Sequence, residues 1–242
     1  IVSLVSLVGI ISLILTENRL HKILLLLVSL SAGTLMGGAF LHLLPEIFEK
    51  GIEPLTFSVY ALIGILIFFI IEKFLHWQHR HVFQQQHVGH QHALTKPYVW
   101  MNLIGDAVHN FIDGAIIAGS YLASVPVGIS TTIAVILHEA PQELGDFAVL
   151  IKGGFSRKKA LFFNFLSALT AVAGGLLTYA VGTKISSAII FLIPFTFSSF
   201  LYIALAGLIP ELHREDRPRQ LILQAFGVFF GILVMAGLLL LE

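Results

Sequence analysis

The stretch His138-Glu-Ala-Pro-Gln-Glu-Leu-Gly-Asp146 is enclosed by two apolar runs, residues 127–137 and 147–151. Apolar sequence of this length is typical of a helix that spans a membrane. The stretch nevertheless contains three carboxylates, and a central Asp costs about 2.5 to 3.5 kcal/mol on insertion. Residues of such cost usually face a partner helix or a watered cavity and mark an ion or proton path. We therefore expect a functional site on this helix.

A second polar stretch, Asp106-Ala-Val-His109-Asn110-Phe-Ile-Asp113-Gly114, interrupts the preceding apolar segment. On a helical wheel its four polar residues fall within an arc of about 100°, and the five of the first stretch within about 140°. Each stretch thus forms a polar stripe along one face of its helix. Together the two stripes would offer imidazoles, carboxylates and amides, and these donors suit a borderline divalent cation. A lone intramembrane His or Asn more often links helices, but linking helices does not need nine polar residues. The nine are Asp106, His109, Asn110, Asp113, His138, Glu139, Gln142, Glu143 and Asp146.

The composition is that of an integral membrane protein. Of 242 residues, 57% are hydrophobic and 12% charged, against about 25% charged residues in soluble domains. The mean hydropathy is +0.91. The formal net charge is zero, so no nucleic acid is expected as a partner. The chain contains no cysteine, which excludes disulfides and thiolate metal ligands.

Eight apolar segments predict an all-α protein with eight transmembrane helices in a single domain, residues 1–242. At about 1.5 Å per residue the first segment is short for a hydrocarbon core of ~30 Å. We therefore expect native residues before Ile1, and we find no signal peptide. The one long polar connection covers residues 76–96. The segments are about 1–16, 22–46, 55–75, 98–120, 126–151, 158–181, 187–210 and 220–241.

The basic residues predict the orientation in the membrane. Cytoplasmic connections carry an excess of Lys and Arg, and with eight segments twelve of the fourteen basic residues fall on one side. That side is interpreted as cytoplasmic, with both termini outside and the protein in the plasma (inner) membrane. Only Lys50 and Lys184 fall on the other side. The twelve are Arg19, Lys22, Lys73, Arg80, Lys96, Lys152, Arg157, Lys158, Lys159, Arg214, Arg217 and Arg219.

A weak internal repeat favours transporter architecture. The second segment ends Leu41-His42-Leu43-Leu44-Pro45-Glu46, and the seventh ends Ala206-Gly207-Leu208-Ile209-Pro210-Glu211. The fourth and fifth segments each carry a central His that is followed by Asn or Glu. Because the members of each pair run in opposite directions, we expect an inverted repeat of segments 1–3 and 6–8 around segments 4 and 5.

The two polar stretches together resemble the Zrt/Irt-like (ZIP) family of metal transporters. The likeness is to the branch whose fourth helix reads His-Asn-x-x-Asp-Gly and whose fifth reads His-Glu-x-Pro-His-Glu-x-Gly-Asp. The eight segments, the outward termini, the His-rich loop and the Leu-Pro-Glu end of the second segment extend this likeness over the whole chain. One departure is clear, since Gln142 replaces the second His of the fifth helix. This exchange weakens one ligand and the exclusive preference for Zn²⁺.

The resemblance implies a two-metal centre near the middle of the membrane. The first site would be lined by His109, Asp113, His138 and Gln142. Asn110 and Glu139 would contribute to the second, joined by Asn164 of the sixth segment, which is otherwise a helix-packing amide. Exit-path ligands, or partners that orient the imidazoles, would be Glu143, Asp146 and Asp106.

Pro141 cannot donate to the carbonyl four residues earlier, so it is expected to kink the helix and free an oxygen beside His138.

Further positions allow two interpretations each. His42 and Glu46, at i and i+4, form either an entrance relay or an interfacial pair that lipid headgroups satisfy. Glu211 has the same two readings, and a solvated helix end is preferred. The loop histidines favour loose metal capture or sensing in the cytoplasm over a simple linker; they are His76, His79, His81, His87, His90 and His92.

The predicted function is import of Zn²⁺, with Fe²⁺, Mn²⁺ or Cd²⁺ as further substrates, by alternating access. The resemblance suggests that helices 1, 4, 5 and 6 move against 2, 3, 7 and 8. No nucleotide-binding motif is present, so an ion gradient or that of the metal must supply the energy. The expected partners are divalent metal ions and the lipid bilayer, and a homodimer stays open. The alternatives are a metal sensor without transport and an intramembrane zinc hydrolase, because His138-Glu139-x-x-Gln142 is close to His-Glu-x-x-His.

Overall fold

The computed structural model describes residues 1–13, 17–85, 97–182, 188–213 and 218–241. All regular structure in these ranges is helical, which confirms the all-α prediction there. The elements in chain order are a 3₁₀ helix (Val2–Leu13), α1 (Glu17–Gly37), a π-helical turn (Gly38–Leu43), α2 (Leu44–Glu49), α3 (Pro54–Gln85), α4 (Pro97–Ala123), α5 (Val125–Lys152), α6 (Arg157–Ala168), α7 (Thr170–Gly182), α8 (Ala188–Tyr202), a second π-helical turn (Ile203–Leu208), α9 (Ile209–Leu212), α10 (Pro218–Leu238) and a 3₁₀ turn (Leu239–Leu241).

Five helical stretches among the described residues are long and apolar enough to cross a membrane, which agrees with an all-α membrane protein. Three of the eight predicted segments are not among these five. The helices α4 and α5 are long enough, with 27 and 28 residues, but carry the polar stripes. The N-terminal 3₁₀ helix has only 12 residues. The five candidate spans are Lys22–Glu49, Pro54–Lys73, Arg157–Gly182, Ile190–Leu208 and Gln220–Leu238.

The third helix is longer than the sequence suggested. We expected a loop from His76 onward, but α3 continues to Gln85, so this prediction is wrong for residues 76–85. Neither Gly nor Pro occurs in that stretch, and its Gln, His and Arg residues are compatible with a helix. His76, His79 and His81 therefore lie on a helix. The other three histidines, His87, His90 and His92, lie outside the described residues.

Small residues bring two pairs of helices into close contact. The helix α4 packs along α7, and α1 along α10. A Cβ on Gly114 would lie 1.8 Å from the Ala171 carbonyl oxygen, and one on Gly33 would lie 2.1 Å from that of Val228. Glycine is thus required at both positions, as is common where membrane helices pack backbone against backbone.

Each π-helical turn directly precedes one of the two similar Pro-Glu sequences. The turn Gly38–Leu43 is followed by Leu44-Pro45-Glu46, and Ile203–Leu208 by Ile209-Pro210-Glu211. Proline cannot donate to the carbonyl of the preceding turn, and a π-helical turn is one way to accommodate the broken hydrogen-bond ladder. The sequence likeness of the two helix ends thus extends to their backbone.

Two apolar clusters enclose the polar middle of α4 and α5. One of them, which we call the upper cluster, includes Ile116 of α4, Val135 of α5, Phe200 of α8 and Met235 of α10. The other, which we call the lower cluster, lies near the beginning of α4 and the end of α5 and contains Val99, Leu103, Phe147, Leu150 and Phe155. Residues 106–113 and 138–143 lie between these clusters along the two helices.

Candidate metal centre

Four side chains from α4 and α5 converge between the two apolar clusters, and we call them the imidazole cluster. They are His109, Asp113, His138 and Glu139. The Nε2 atoms of His109 and His138 are 3.4 Å apart. Asp113 Oδ2 lies 3.1 Å from His138 Nε2 and 3.7 Å from His109 Nε2. Glu139 Oε1 lies 3.3 Å from His109 Nε2 and 3.4 Å from His138 Nε2.

These distances match the edges of a tetrahedron around one small metal ion. Five of the six donor–donor distances are thus known, and they range from 3.1 to 3.7 Å. With tetrahedral bonds of about 2.0–2.1 Å, ligand atoms around Zn²⁺ are about 3.3–3.4 Å apart. Imidazole nitrogens and carboxylate oxygens are also both zinc ligands. The imidazole cluster can therefore hold a tetrahedral divalent cation.

Burial and charge also favour a cation here. The side chains of Asp113, His138 and Glu139 are 1% exposed, and that of His109 is 21% exposed. Both oxygens of Glu139 are buried and accept no hydrogen bond within the described ranges. A buried charge without compensation is costly, so a divalent ion would offset the two carboxylates.

The orientation of His138 is held from the backbone of its own helix. Its Nδ1 lies 3.2 Å from the carbonyl oxygen of Ala134, so Nδ1–H can donate there. That tautomer leaves the lone pair of Nε2 directed at the cluster, which is the arrangement a metal ligand needs.

A second group of donors, the carboxylate cluster, adjoins the first and shares Glu139 with it. It consists of Asp106, Glu139 and Glu143, which can bring one oxygen each to within 4.8 Å of one another. Because Glu139 has two oxygens, one carboxylate could bind an ion on each side. The geometry therefore accommodates the adjacent pair of metal sites that the resemblance implied.

The outer members of the carboxylate cluster already accept hydrogen bonds from the protein. Asn110 Nδ2 donates to Asp106 Oδ1 over 2.9 Å, and Ser167 Oγ donates to Asp106 Oδ2 over 2.5 Å. Asn164 Nδ2 donates to Glu143 Oε2 over 2.5 Å. Asn110 and Asn164 thus lie beside the carboxylate cluster, and their side-chain oxygens have no hydrogen-bond partner among the described residues.

The carbonyl oxygen that Pro141 frees is not directed to the metal centre. Ser31 Oγ of α1 lies 2.6 Å from the Leu137 carbonyl oxygen and 2.6 Å from that of Leu27 on its own helix, so its one hydrogen is shared between the two acceptors. The expectation that this oxygen would add to the donors beside His138 is therefore not supported by its contacts. A free carbonyl in the membrane interior needs a donor, and a hydroxyl of a neighbouring helix supplies it.

Gln142 lies next to the imidazole cluster but is not one of its four members. Together with His109 it lines a cavity of about 230 Å³ between α3, α4, α5 and α8, and its side chain also interacts with Asp106. Glu139, which the resemblance assigned to the second site, also lies at donor distance from His109 and His138 of the first, at 3.3 and 3.4 Å.

The remaining candidates lie further from the donors. Asp146 accepts a hydrogen bond from Asn102 Nδ2 over 2.8 Å. His42 is buried, with Nε2 2.9 Å from the Met235 carbonyl oxygen. Glu46 is also buried and contacts two residues, Lys50 at 3.3 Å and Ser124 Oγ at 3.3 Å. His42 and Glu46 thus both have protein partners, and the choice between an entrance relay and an interfacial pair stays open. The side chain of Glu211 lies outside what the structure describes.

Three hydrogen-bonding residues of this region were not predicted from the sequence. Ser167 lies three residues after Asn164 on the same helix face, so this spacing was an available signal. Asn102 lies one turn before Asp106, on the side of α4 that carries the polar stripe. No sequence pattern would have paired Ser31 with Leu137, since the two belong to different helices.

Comparison with known proteins shows the family to which the chain belongs. The family model described as ZIP Zinc transporter matches residues 1–98 and 78–239. The chain is 37% identical to Zinc transporter ZIP10 of Homo sapiens over 72% of its own length, but it spans only 23% of that protein. It is 31% identical to Zinc transporter ZIP13 of Danio rerio, over 91% of this chain and 77% of that protein. The ZIP13 homolog of Drosophila melanogaster is also 31% identical, over 89% of this chain and 77% of that protein. The family model matches nearly the whole chain, and the chain spans 77% of each of the two ZIP13 relatives. The chain therefore belongs to the ZIP zinc transporter family.

Proposed function

We propose that this protein transports Zn²⁺ across a membrane and into the cytoplasm through the two adjoining donor clusters. The single observation that carries the proposal is the near-tetrahedral spacing of the imidazole cluster, 3.1 to 3.7 Å between donor atoms. The cluster lies midway along two membrane-length helices, where four costly polar residues have little structural purpose. The ZIP10 and ZIP13 relatives are named zinc transporters, which supports zinc as the substrate.

The proposed architecture has eight transmembrane helices that are arranged as an inverted repeat. The paired π-helical turns before Pro45 and Pro210 support the repeat, because they add a backbone likeness to that of the sequence. Inverted repeats commonly surround a mid-membrane substrate site and allow it to open to each side in turn. Transport would then proceed by alternating access, with both termini outside and the connection after α3 in the cytoplasm.

The donor set suits release as well as binding. Carboxylates and neutral imidazoles hold Zn²⁺ less tightly than thiolates do, and oxygen donors also accept Mn²⁺, Fe²⁺ and Cd²⁺. The same ions are therefore proposed as secondary substrates. The hydrolase alternative is disfavoured, since a hydrolytic site needs a carboxylate that is free to act as base, whereas Glu139 stands at donor distance from both imidazoles.

Uptake of radioactive zinc into proteoliposomes that contain the purified protein tests the function. Time-dependent accumulation that stops when a chelator is added outside is the expected result. Zinc binding without accumulation would instead favour the sensor, and no binding at all would contradict the proposed function.

Cysteine labelling tests the proposed orientation, since the natural chain has no cysteine. Gln85→Cys at the end of α3 should react with a membrane-impermeant reagent only in broken cells. Glu53→Cys, before the start of α3 in an exposed position, should react in intact cells. Labelling of both from the same side would contradict the orientation and the course of α3 across the membrane.

A further inference from the structure

Exposed positive charge is concentrated at the beginning of α6, outside both donor clusters. Four of the eight residues from 152 to 159 are Lys or Arg, and the sequence contains no Asp or Glu between Asp146 and Glu211. Arg157, Lys158 and Lys159 are all exposed, and we call these three the basic patch. None of them forms an ion pair with a described residue, so the described part of the protein does not neutralise the patch.

Orientation in the membrane does not require this arrangement. An excess of basic residues on the cytoplasmic side is sufficient for orientation, whether or not acidic residues accompany them. The other arginine-rich connection does contain acidic residues, since Arg214, Arg217 and Arg219 alternate there with Glu211, Glu215 and Asp216. A group of cations without acidic neighbours is instead typical of a surface that binds anionic lipid.

The basic patch lies at the level of the lipid headgroups. Arg157 is the first residue of α6 and also the first of the candidate span Arg157–Gly182, so the apolar part of the helix begins directly after the patch. The ring centroid of Trp100, near the start of α4, lies 5.7 Å from that of Phe155 and 5.3 Å from that of Phe163. Trp100 is 41% exposed, and an exposed Trp is typical of the boundary between membrane and water.

The ammonium group of Lys159 is supported by these aromatic rings. Its Nζ atom lies 4.4 Å from the ring centroid of Phe155 and 5.9 Å from that of Phe163, where a cation is attracted to the face of a ring. An aromatic face accepts no conventional hydrogen bond, so the three N–H donors of the ammonium stay available. Phe155 is buried in the lower cluster, which gives the ammonium a fixed support.

We infer that the basic patch binds the phosphate of an anionic phospholipid whose acyl chains lie along the exposed face of α6. Arg binds phosphate through paired N–H groups and Lys binds it as a point charge. Lys158, Phe162 and Leu166 follow one another at intervals of four residues, so they lie on one face of the helix. Phe162 and Leu166 are 60% and 47% exposed. Because this apolar face continues directly from the patch, a phospholipid fits it better than a soluble anion does.

A lipid at this position would act on a helix that also contacts the metal centre. Asn164 of α6 donates to Glu143, and Ser167 donates to Asp106. A bound lipid would therefore hold the beginning of the helix that supports the carboxylate cluster. Lipid binding itself goes beyond the proposed function and does not depend on it.

The test measures lipid binding to the full-length protein in detergent by native mass spectrometry. The protein is titrated with phosphatidylglycerol, which has one negative charge, and with phosphatidylcholine, which has no net charge. A cation near an anionic lipid contributes about 1 kcal/mol, which is about fivefold in affinity. With three cations the natural protein should prefer phosphatidylglycerol about a hundredfold at its tightest lipid site. Arg157→Gln, Lys158→Gln and Lys159→Gln together should remove this preference, and Lys158→Gln alone should lower it about fivefold.

Two matched triple variants serve as controls. Arg157→Lys, Lys158→Arg and Lys159→Arg together keep the charge and should keep the preference. Arg214→Gln, Arg217→Gln and Arg219→Gln together remove the same charge elsewhere and should also keep it. The unfolding temperature of each variant shows whether it is folded.

Three results would overturn the inference. They are equal binding of both lipids by the natural protein, a preference that persists without the basic patch, and an equal loss of preference in the control at residues 214–219. Displacement of phosphatidylglycerol by inorganic phosphate at the same concentration would show that the patch takes the free anion, and this too would overturn the lipid assignment. No measurement uses zinc, so failure of the proposed function would leave the result unaffected.

Discussion

The imidazole cluster and the carboxylate cluster share Glu139 but differ in how far the protein already satisfies their donors. In the imidazole cluster the donor atoms face one another, and Glu139 accepts no hydrogen bond in the described ranges. In the carboxylate cluster Asp106 accepts hydrogen bonds from Asn110 and Ser167, and Glu143 accepts one from Asn164.

This difference indicates two kinds of metal position. The carboxylates of the imidazole cluster face only the two imidazoles, at 3.1 to 3.7 Å, so a cation there competes with protons on the imidazoles rather than with hydrogen bonds from other helices, and binding should be strong near neutral pH. A cation in the carboxylate cluster must compete with hydrogen bonds that already stabilise two of the three carboxylates, so binding there should be weaker. A tight position beside a weak one would allow the weak one to fill and empty during each transport cycle.

The largest effect is expected when an imidazole is removed. His109→Ala and His138→Ala each take one of only two nitrogen donors from the tetrahedral set, and we expect uptake to be abolished and zinc affinity to fall at least about a hundredfold. Folding should be nearly normal, because neither change opens an apolar core. The measurements are vesicle uptake at several zinc concentrations and equilibrium binding. His213→Ala, an exposed histidine after α9, is the control, and natural rates in either cluster variant would contradict the site.

Acidification should weaken binding next most. Free imidazole takes up a proton near pH 6.5, and each proton that the metal must displace lowers the apparent affinity as the pH falls. Between about pH 7.5 and 5.5 the affinity should fall by about one to two orders of magnitude, one for each imidazole. Zinc titrations at a series of pH values measure this. An affinity that is flat over the range would argue against imidazole ligands.

A smaller effect is expected in the carboxylate cluster. Asp106→Asn should reduce uptake about fivefold and lower the number of bound zinc ions from two to one, while the tight ion remains. Ser167→Ala removes only a hydrogen bond to Asp106 and should have a smaller effect on the rate, about twofold. Binding stoichiometry by calorimetry is the measurement, and Ser58→Ala on the exposed part of α3 is the control. Equal loss of both ions in Asp106→Asn would mean that the two clusters form one site.

The smallest change is expected at Gln142, where the sequence differs from the His-Glu-x-Pro-His motif that it resembles. Gln142→His adds a nitrogen donor on the His109 side of the cavity, which should raise zinc affinity a few-fold and increase the preference for Zn²⁺ over Mn²⁺. If release limits turnover, maximal uptake should also fall, because the bound state is stabilised. Zinc and manganese transport are compared with binding in parallel. No change in affinity or preference would mean that residue 142 does not reach the metal and that Glu139 alone completes the tetrahedron.

The sequence alone determined the class of the protein and the helices that carry its centre. Hydrophobicity and helical periodicity are local properties, so the polar stripes on α4 and α5 could be recognised without a structure, and the ZIP family was identified from His109-Asn110 to Asp146. Local reasoning failed at the end of α3. Polarity was read as a loop from His76, although a polar stretch without Gly or Pro can continue a helix.

Only the tertiary structure decided which donors meet and what surrounds them. It placed Glu139 Oε1 within 3.4 Å of the Nε2 atoms of both His109 and His138, and it brought the carbonyl freed by Pro141 within hydrogen-bond distance of Ser31 on another helix. It also brought Glu72 and Tyr202 to the cavity beside His109. These contacts depend on how far each helix is rotated and shifted against its neighbours, which packing sets. The periodicity of a single helix contains no information about that rotation or depth.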